Sequence, residues 1–233
     1  MTAARKVFVA GSHTDVGKTF VACALVRAAR SAGLSAEALK PIASGFDPDD
    51  WTGSDPGRLL AALGREASSV ELDRITPWRF AAPLAPPMAA RLEGRSLTLE
   101  AVADLCAERL AASPADLFVL EGVGGLMSPL TDDATGLELM TALNLPVLLV
   151  GGGYLGAISH TLTALEVLRH RGLPVAAVVV SQDGGADAPD FAATVALVAD
   201  HARPTPVLAA PRAGPTEWAN EALARLPGPS LSA

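Results

Sequence analysis

Short apolar runs of strand length alternate along the chain with segments whose apolar residues recur at helical spacing. The strand runs are Val7–Ala10, Ser35–Leu39, Leu117–Leu120, Pro146–Val150, Val175–Ser181 and a weaker Val207–Ala209. Helical patterns separate them at Lys18–Ala32, Leu99–Ala112, Leu137–Leu143, Ile158–Arg171 and Asp190–His201, with one more at Trp218–Leu226. Strands that are continuous in Val and Leu, with no polar alternation, must be covered on both faces. This rhythm therefore predicts an α/β fold, a parallel sheet with helices on both faces. Gly33 and Gly172, each just past a helical pattern, read as C-terminal caps.

From Ser44 to about Arg95 the rhythm fails. The stretch is rich in Pro, Gly, Asp and Trp, as in Phe46-Asp47-Pro48-Asp49-Asp50-Trp51 and Ala82-Pro83-Leu84-Ala85-Pro86-Pro87. It reads as an irregular insertion, and one of that length within a compact domain is usually functional. No repeat is visible and the stretch is too short for a second domain. Residues 1–233 are thus expected to form one domain with an elaborated crossover after the second strand.

Composition narrows the class. Half of the 233 residues are hydrophobic and 18% are charged, which excludes a disordered chain; aromatics are only 4%, so Ala, Leu and Val must build the core. The 25 acids against 18 bases leave a net charge of −7 with no basic run, which argues against nucleic-acid binding but not against a small anionic ligand. Cys23 and Cys106 lie in Ala/Leu-rich helical patterns and read as small buried apolar residues of a reducing compartment. The apolar run near the N-terminus is too short for a secretory signal, so none is expected. The uncharged stretch from Leu139 to Leu165 is broken by Pro146 and Gly151-Gly152-Gly153, so a cytoplasmic chain without membrane contact is expected. Only three lysines occur, Lys6, Lys18 and Lys40, and two of them fall inside motifs.

The strongest motif is Gly11-Ser12-His13-Thr14-Asp15-Val16-Gly17-Lys18-Thr19, between a strand and a helix. Loop and helix N–H groups there cradle phosphate, Lys18 reaches the β and γ phosphates, and the Thr19 hydroxyl binds Mg²⁺. Gly11 is followed by five residues before Gly-Lys-Thr, one more than usual, so Ser12 takes the usual first-glycine position. A second motif, Lys40-Pro41-Ile42-Ala43-Ser44-Gly45, ends the second strand. Ligands of open parallel sheets bind beyond the carboxyl ends of the strands, so Lys40 and Lys18 arrive at one edge. The third is Leu117-Phe118-Val119-Leu120-Glu121-Gly122-Val123-Gly124-Gly125, where a strand-end acid marks the metal side of a nucleotide site. Asp55, in Gly53-Ser54-Asp55, is another Mg²⁺ candidate, which on residue chemistry alone competes with Asp47, Asp49 and Asp50.

Gly151-Gly152-Gly153-Tyr154-Leu155-Gly156 fits the dinucleotide pattern G-x-G-x-x-G, but no acid follows at about twenty residues. It reads instead as a close-packed turn whose apolar loop meets a partner subunit. His13 either touches a ligand or faces solvent, and His160, His170 and His201 lack metal-ligand spacing.

With these motifs in this order, the sequence resembles the dethiobiotin synthetases. That family has G-T-D-T-E-V-G-K-T where Gly11–Thr19 stands, K-P-[VI]-A-S-G at Lys40–Gly45, S-D at Ser54-Asp55 and E-G-A-G-G at Glu121–Gly125, with Val123 replacing Ala. The resemblance implies that Asp15, Val16, Gly17, Lys18, Thr19 and Phe20 hold the phosphates of ATP. Thr19, Asp55 and Glu121 would bind Mg²⁺, and Glu121, Gly122, Val123 and Gly124 would border the nucleotide. The base would lie near Gln182, Asp183, Pro211, Arg212 and Ala213; the family often has Asn at the position of Gln182. Lys40 would be catalytic beside Lys18, and Ser44 would contact the diamine. The implied reaction joins CO2 to 7,8-diaminopelargonate at the expense of ATP, through a carbamate and a carbamic–phosphoric anhydride. The Tyr154–Ser159 loop is similar to the family's dimer-interface segment, with Tyr154 and Ser159 where some members carry Lys and Asn, and implies a homodimer. A partner-switching ATPase of the ParA/MinD type would share the fold but usually carries an early P-loop lysine, where Ser12 and His13 stand here. A cobyrinate-type amidotransferase would need a glutaminase domain for which this sequence has no room.

Overall fold

Successive strand residues point to opposite faces of the sheet, and here both faces are apolar. Val7 and Val9 belong to one buried cluster and Phe8 and Ala10 to the other; Leu117 and Val119 oppose Phe118 and Leu120 in the same way. The structure is a computed structural model and describes residues 4–185, 188–214 and 216–228.

In chain order the elements are β1 (Arg5–Gly11), α1 (Lys18–Ser31), β2 (Ala36–Leu39), β3 (Ile42–Ser44), α2 (Asp55–Leu63), α3 (Ser69–Ile75), β4 (Trp78–Phe80) and α4 (Pro86–Leu92). There follow α5 (Leu99–Ala112), β5 (Leu117–Glu121), α6 (Gly136–Leu143), β6 (Val147–Gly151), α7 (Ala157–His170), β7 (Val175–Ser181), α8 (Phe191–Ala202), β8 (Val207–Ala210) and α9 (Glu217–Arg225). Six strands pair in parallel in the order β2-β5-β1-β6-β7-β8. Helices α1, α2 and α9 cover one face, and α5, α6, α7 and α8 the other. Every strand and helix read from periodicity is present, within one or two residues at its ends. Among the described residues no helix is long and apolar enough to cross a membrane.

The stretch from Ser44 to Arg95 corrects the sequence reading. It is not irregular: it holds three helices, and β3 and β4 pair in parallel as a second, two-stranded sheet. These elements are too short to show a period and are fixed by local chemistry. The Ser54 and Ser68 hydroxyls accept from the N–H groups of Gly57 (3.4 Å) and Glu71 (3.2 Å), and prolines occupy the first turns of α2 and α4.

Sheet register sets the site. β5 lies between β2 and β1, with Leu39 opposite Leu120 and Val9 opposite Glu121. The next residue after Leu39 is Lys40, so strand pairing alone brings Lys40 and Glu121 to the same carboxyl edge, beside the loop that leaves β1.

Candidate active site

The β1–α1 loop turns through two left-handed residues, Asp15 (φ 59°) and Gly17 (φ 99°). A side chain at Gly17 would strain the backbone, and its Cβ would lie 2.6 Å from Ser181 Oγ and 2.8 Å from Arg212 Nη2. Helix α1 starts at Lys18 with no side-chain cap, so its first N–H groups remain for an anion. Lys18 Nζ donates to the His13 carbonyl at 3.2 Å, curling over the loop, and the side chain is 6% exposed. Burial, and then the neighbouring Lys40 charge, push its ammonium down to about 8, against the pull of Glu121 and Asp55.

Four side chains converge at the strand edge. Lys40 Nζ lies 2.5 Å from Glu121 Oε1 and 2.9 Å from Asp55 Oδ2, and the Thr19 hydroxyl donates to Glu121 Oε1 at 2.6 Å. Lys40 is 4% exposed, Glu121 1% and Asp55 44%. Burial opposes the Lys40 charge, but Glu121 and Asp55 outweigh it and raise its pKa. Burial would raise the Asp55 carboxyl, yet Lys40 holds it below the usual carboxylate range. Asp55, the first residue of α2, is thus the acid of the inserted segment that enters the site, whereas Asp47, Asp49 and Asp50 lie on an exposed loop.

The site's oxygen chemistry suits a hard divalent cation. Glu121 Oε2 is buried and has no hydrogen-bond partner among the described residues, while Oε1 of the same carboxylate meets the Thr19 hydroxyl and the Lys40 ammonium that also pairs with Asp55. One or two carboxylates plus a hydroxyl, completed by phosphate oxygens, is the donor set Mg²⁺ takes. Ser44 Oγ, at the end of β3, is likewise buried without a partner. A cleft of about 750 Å³ opens over Lys18, Thr19, Lys40, Ser44, Asp55 and Arg212. Val123 and Gly124 form part of its wall, and the left-handed Gly124 (φ 64°) packs its Cα on Ser128.

At the far end, Gln182 follows β7 and Arg212 follows β8. The Arg212 N–H donates to Gln182 Oε1 (3.1 Å) and its Nε donates to the Gln182 carbonyl (2.9 Å), which ties the two strand-end loops together with Asp183, Pro211 and Ala213 alongside. The Arg212 guanidinium lies 4.7 Å above the Phe20 ring, which in turn meets Trp218 at 5.7 Å. Val16 is buried in the core, where it supports the loop. His13 stacks on His160 at 5.6 Å, and the Tyr154 hydroxyl bonds His160 Nδ1 at 2.8 Å, so the loop after β6 braces the phosphate loop. Both cysteines are free and buried, and burial raises each thiol to about 12, so neither is a nucleophile.

Sequence reasoning missed the cleft wall Pro83–Pro86 and Arg58. The proline cluster marked the wall as a loop without saying what it faced. Arg58 was legible through its spacing of three from Asp55, which puts both on one face of α2.

A family model described as an AAA domain matches residues 5–212. The chain is 62% identical to the ATP-dependent dethiobiotin synthetase BioD of Phenylobacterium zucineum, over 94% of this chain and 95% of that protein. It is 53% identical to the enzyme of the same name from Caulobacter vibrioides, over 90% and 94%. Solved structures share the fold at low identity. In the MinC:MinD cell division protein complex of Aquifex aeolicus a chain aligns with TM-score 0.53 and 12% identity, covering 94% of this chain and 86% of that one. A ParA family ATPase of Chlorobium tepidum gives 0.51 and 14%, covering 95% and 89%. A family match over most of the chain, and relatives more than half identical over nearly their whole lengths, place the chain among the ATP-dependent dethiobiotin synthetases, P-loop ligases of biotin synthesis.

Proposed function

We propose that the cleft joins CO2 to 7,8-diaminopelargonate with ATP, giving dethiobiotin, ADP and phosphate. What carries this reading is the burial of Lys40 between two carboxylates within the cleft that Lys18 enters, because the reaction brings an anionic carbamate against an anionic phosphate. One amine of the diamine attacks CO2 and loses a proton, leaving a carbamate whose oxygen attacks the γ-phosphorus and releases ADP. The second amine then attacks the carbamoyl carbon, loses its proton, closes the ring and expels phosphate.

Lys18 and the amides from Asp15 to Phe20 hold the phosphates, while Lys40 sits where carbamate and phosphate oxygens meet. The partnerless Ser44 hydroxyl orients the diamine. Thr19, Asp55 and Glu121 would hold Mg²⁺, which when bound neutralises charge on the transferring phosphate. Gln182, Asp183, Pro211, Arg212 and Ala213 lie near the base. We assign the exposed loop after β6, where Leu155 is 87% exposed, to pairing with a second copy of the chain.

The test is phosphate release from ATP with and without 7,8-diaminopelargonate plus bicarbonate, with the organic product identified by mass. Release that requires both, with dethiobiotin formed, is expected. ATP turnover indifferent to the diamine would replace this reading with that of a partner-switching ATPase.

A further inference from the structure

Arg58 has no role in the assignment above. It stands in the first turns of α2, three residues after Asp55, and so on the helix face that enters the cleft. It lines that cleft together with Lys18, Phe20 and Arg212, and it is exposed. Among the described residues no hydrogen bond or ion pair occupies its guanidinium.

Arg212 approaches the same place from the β8–α9 loop. A Cβ built at Gly17, at the start of α1, would lie 2.8 Å from the Arg212 Nη2, and the guanidinium carbon sits 4.7 Å from the centre of the Phe20 ring. Burial lowers the Arg212 pKa, the Asp183 carboxylate opposes this, and Arg58 adds a smaller repulsion. Two exposed guanidinium groups that line one open cleft beside a phosphate loop form an arrangement that a polyanion stabilises. Lys40 differs, because its charge is already satisfied by Glu121 and Asp55.

We propose that Arg58 contacts the polyphosphate of the bound nucleotide, so that Arg58 and Arg212 close the cleft mouth over it from opposite walls. This rests on the assignment of the cleft to ATP, and not on the identity of the second substrate. The planar fork of arginine suits two phosphate oxygens, which a lysine meets only as a point charge.

The experiment measures equilibrium binding of ATP and of adenosine to wild type, Arg58→Gln and Arg58→Lys, at low and at moderate salt, with thermal melts of each free protein. Arg58→Gln should weaken ATP about tenfold, equivalent to about 1.4 kcal/mol, and leave adenosine unchanged. Arg58→Lys should recover part of the loss, and the wild-type advantage should shrink as salt rises. ATP affinity within twofold of wild type in Arg58→Gln overturns the proposal, and so does equal weakening of ATP and adenosine. Wild-type protein that binds no ATP would instead refute the nucleotide assignment. Binding without diamine-dependent turnover would refute the ligase reaction and leave Arg58 in place.

Discussion

Removing the Lys40 ammonium while keeping its bulk, as in Lys40→Met, should expose how the site stores its charges. At 2.5 Å from Glu121 and 2.9 Å from Asp55, the ammonium gains about 6 kcal/mol from each carboxylate at an effective dielectric near 20, before desolvation is subtracted. Asp55 is 44% exposed and can be rehydrated, so most of the loss falls on Glu121, which is 1% exposed. Breaking a buried pair by deleting one partner costs about 3–5 kcal/mol. In a domain of this size that lowers the melting temperature by roughly 10 °C.

The pH dependence carries the sign of the argument. In the wild type Asp55 is held low, so its contribution is present above its unfolded value near 3.9 and is lost as pH falls through the lower folded value. Lys40→Met lacks this contribution, so the gap between the two proteins should be full from about pH 5 to neutral pH and narrow below about pH 4. Catalysis should fall about 10²–10³-fold, while ATP affinity, held by Lys18 and the loop amides, falls far less. Lys40→Arg should regain stability by pairing with the two carboxylates but little turnover, since its wide fork cannot replace a compact ammonium between carbamate and phosphate oxygens. Melts of ligand-free protein at several pH values, paired with diamine-dependent phosphate release, decide the matter. A gap under about 2 °C at pH 7, or one that does not change with pH, would refute the buried-pair argument; turnover within a few-fold of wild type would refute the catalytic one.

Two further outcomes follow from the phosphate loop. Because burial brings Lys18 down to about 8, ATP should bind with proton uptake above that pH and weaken as pH rises through it, whereas Lys18→Arg should lose this slope; calorimetry in buffers of different ionisation enthalpy measures the protons. Gly17→Ala should cost about 1–3 kcal/mol by denaturant melt and abolish detectable ATP binding, because φ is 99° there and the new methyl meets Ser181 Oγ and Arg212 Nη2; unchanged affinity would contradict the loop's assigned role.

The frame of this fold was legible because its signals are local. Runs such as Val7–Ala10 and Leu117–Leu120 are apolar on both faces, and only a sheet covered on both sides asks for that. Lys40 was harder to read. In sequence it is a strand-end lysine, and its burial depends on β2 pairing with β5, a contact between residues about eighty positions apart. Among Asp47, Asp49, Asp50 and Asp55, residue type could not choose; the Ser54 cap does, by starting α2 with Asp55 pointing at the strand edge. The helices of residues 44–95 stayed hidden because seven to nine residues are too few for periodicity to outweigh their Pro and Gly content.

Charge balance explains why so many cations meet at one edge of an acidic chain. In the free protein the charges at the strand edge cancel: the buried Lys18 and Lys40 stand against the buried Glu121 and the partly exposed Asp55. A site neutral in this sense folds without stranding a buried charge, but apart from Lys18 and the loop amides it offers a triphosphate no net attraction. On the proposed reaction, Mg²⁺ would cancel only part of the charge that ATP and a carbamate bring together. The remainder needs cations that stay solvated until the nucleotide arrives, since two more buried lysines would destabilise the empty fold. Exposed arginines do this at small cost, because their charge is satisfied by water when the cleft is open and by phosphate when it is filled. The division between a buried neutral core and an exposed cationic mouth lets the same edge be stable when empty and strongly anion-binding when loaded.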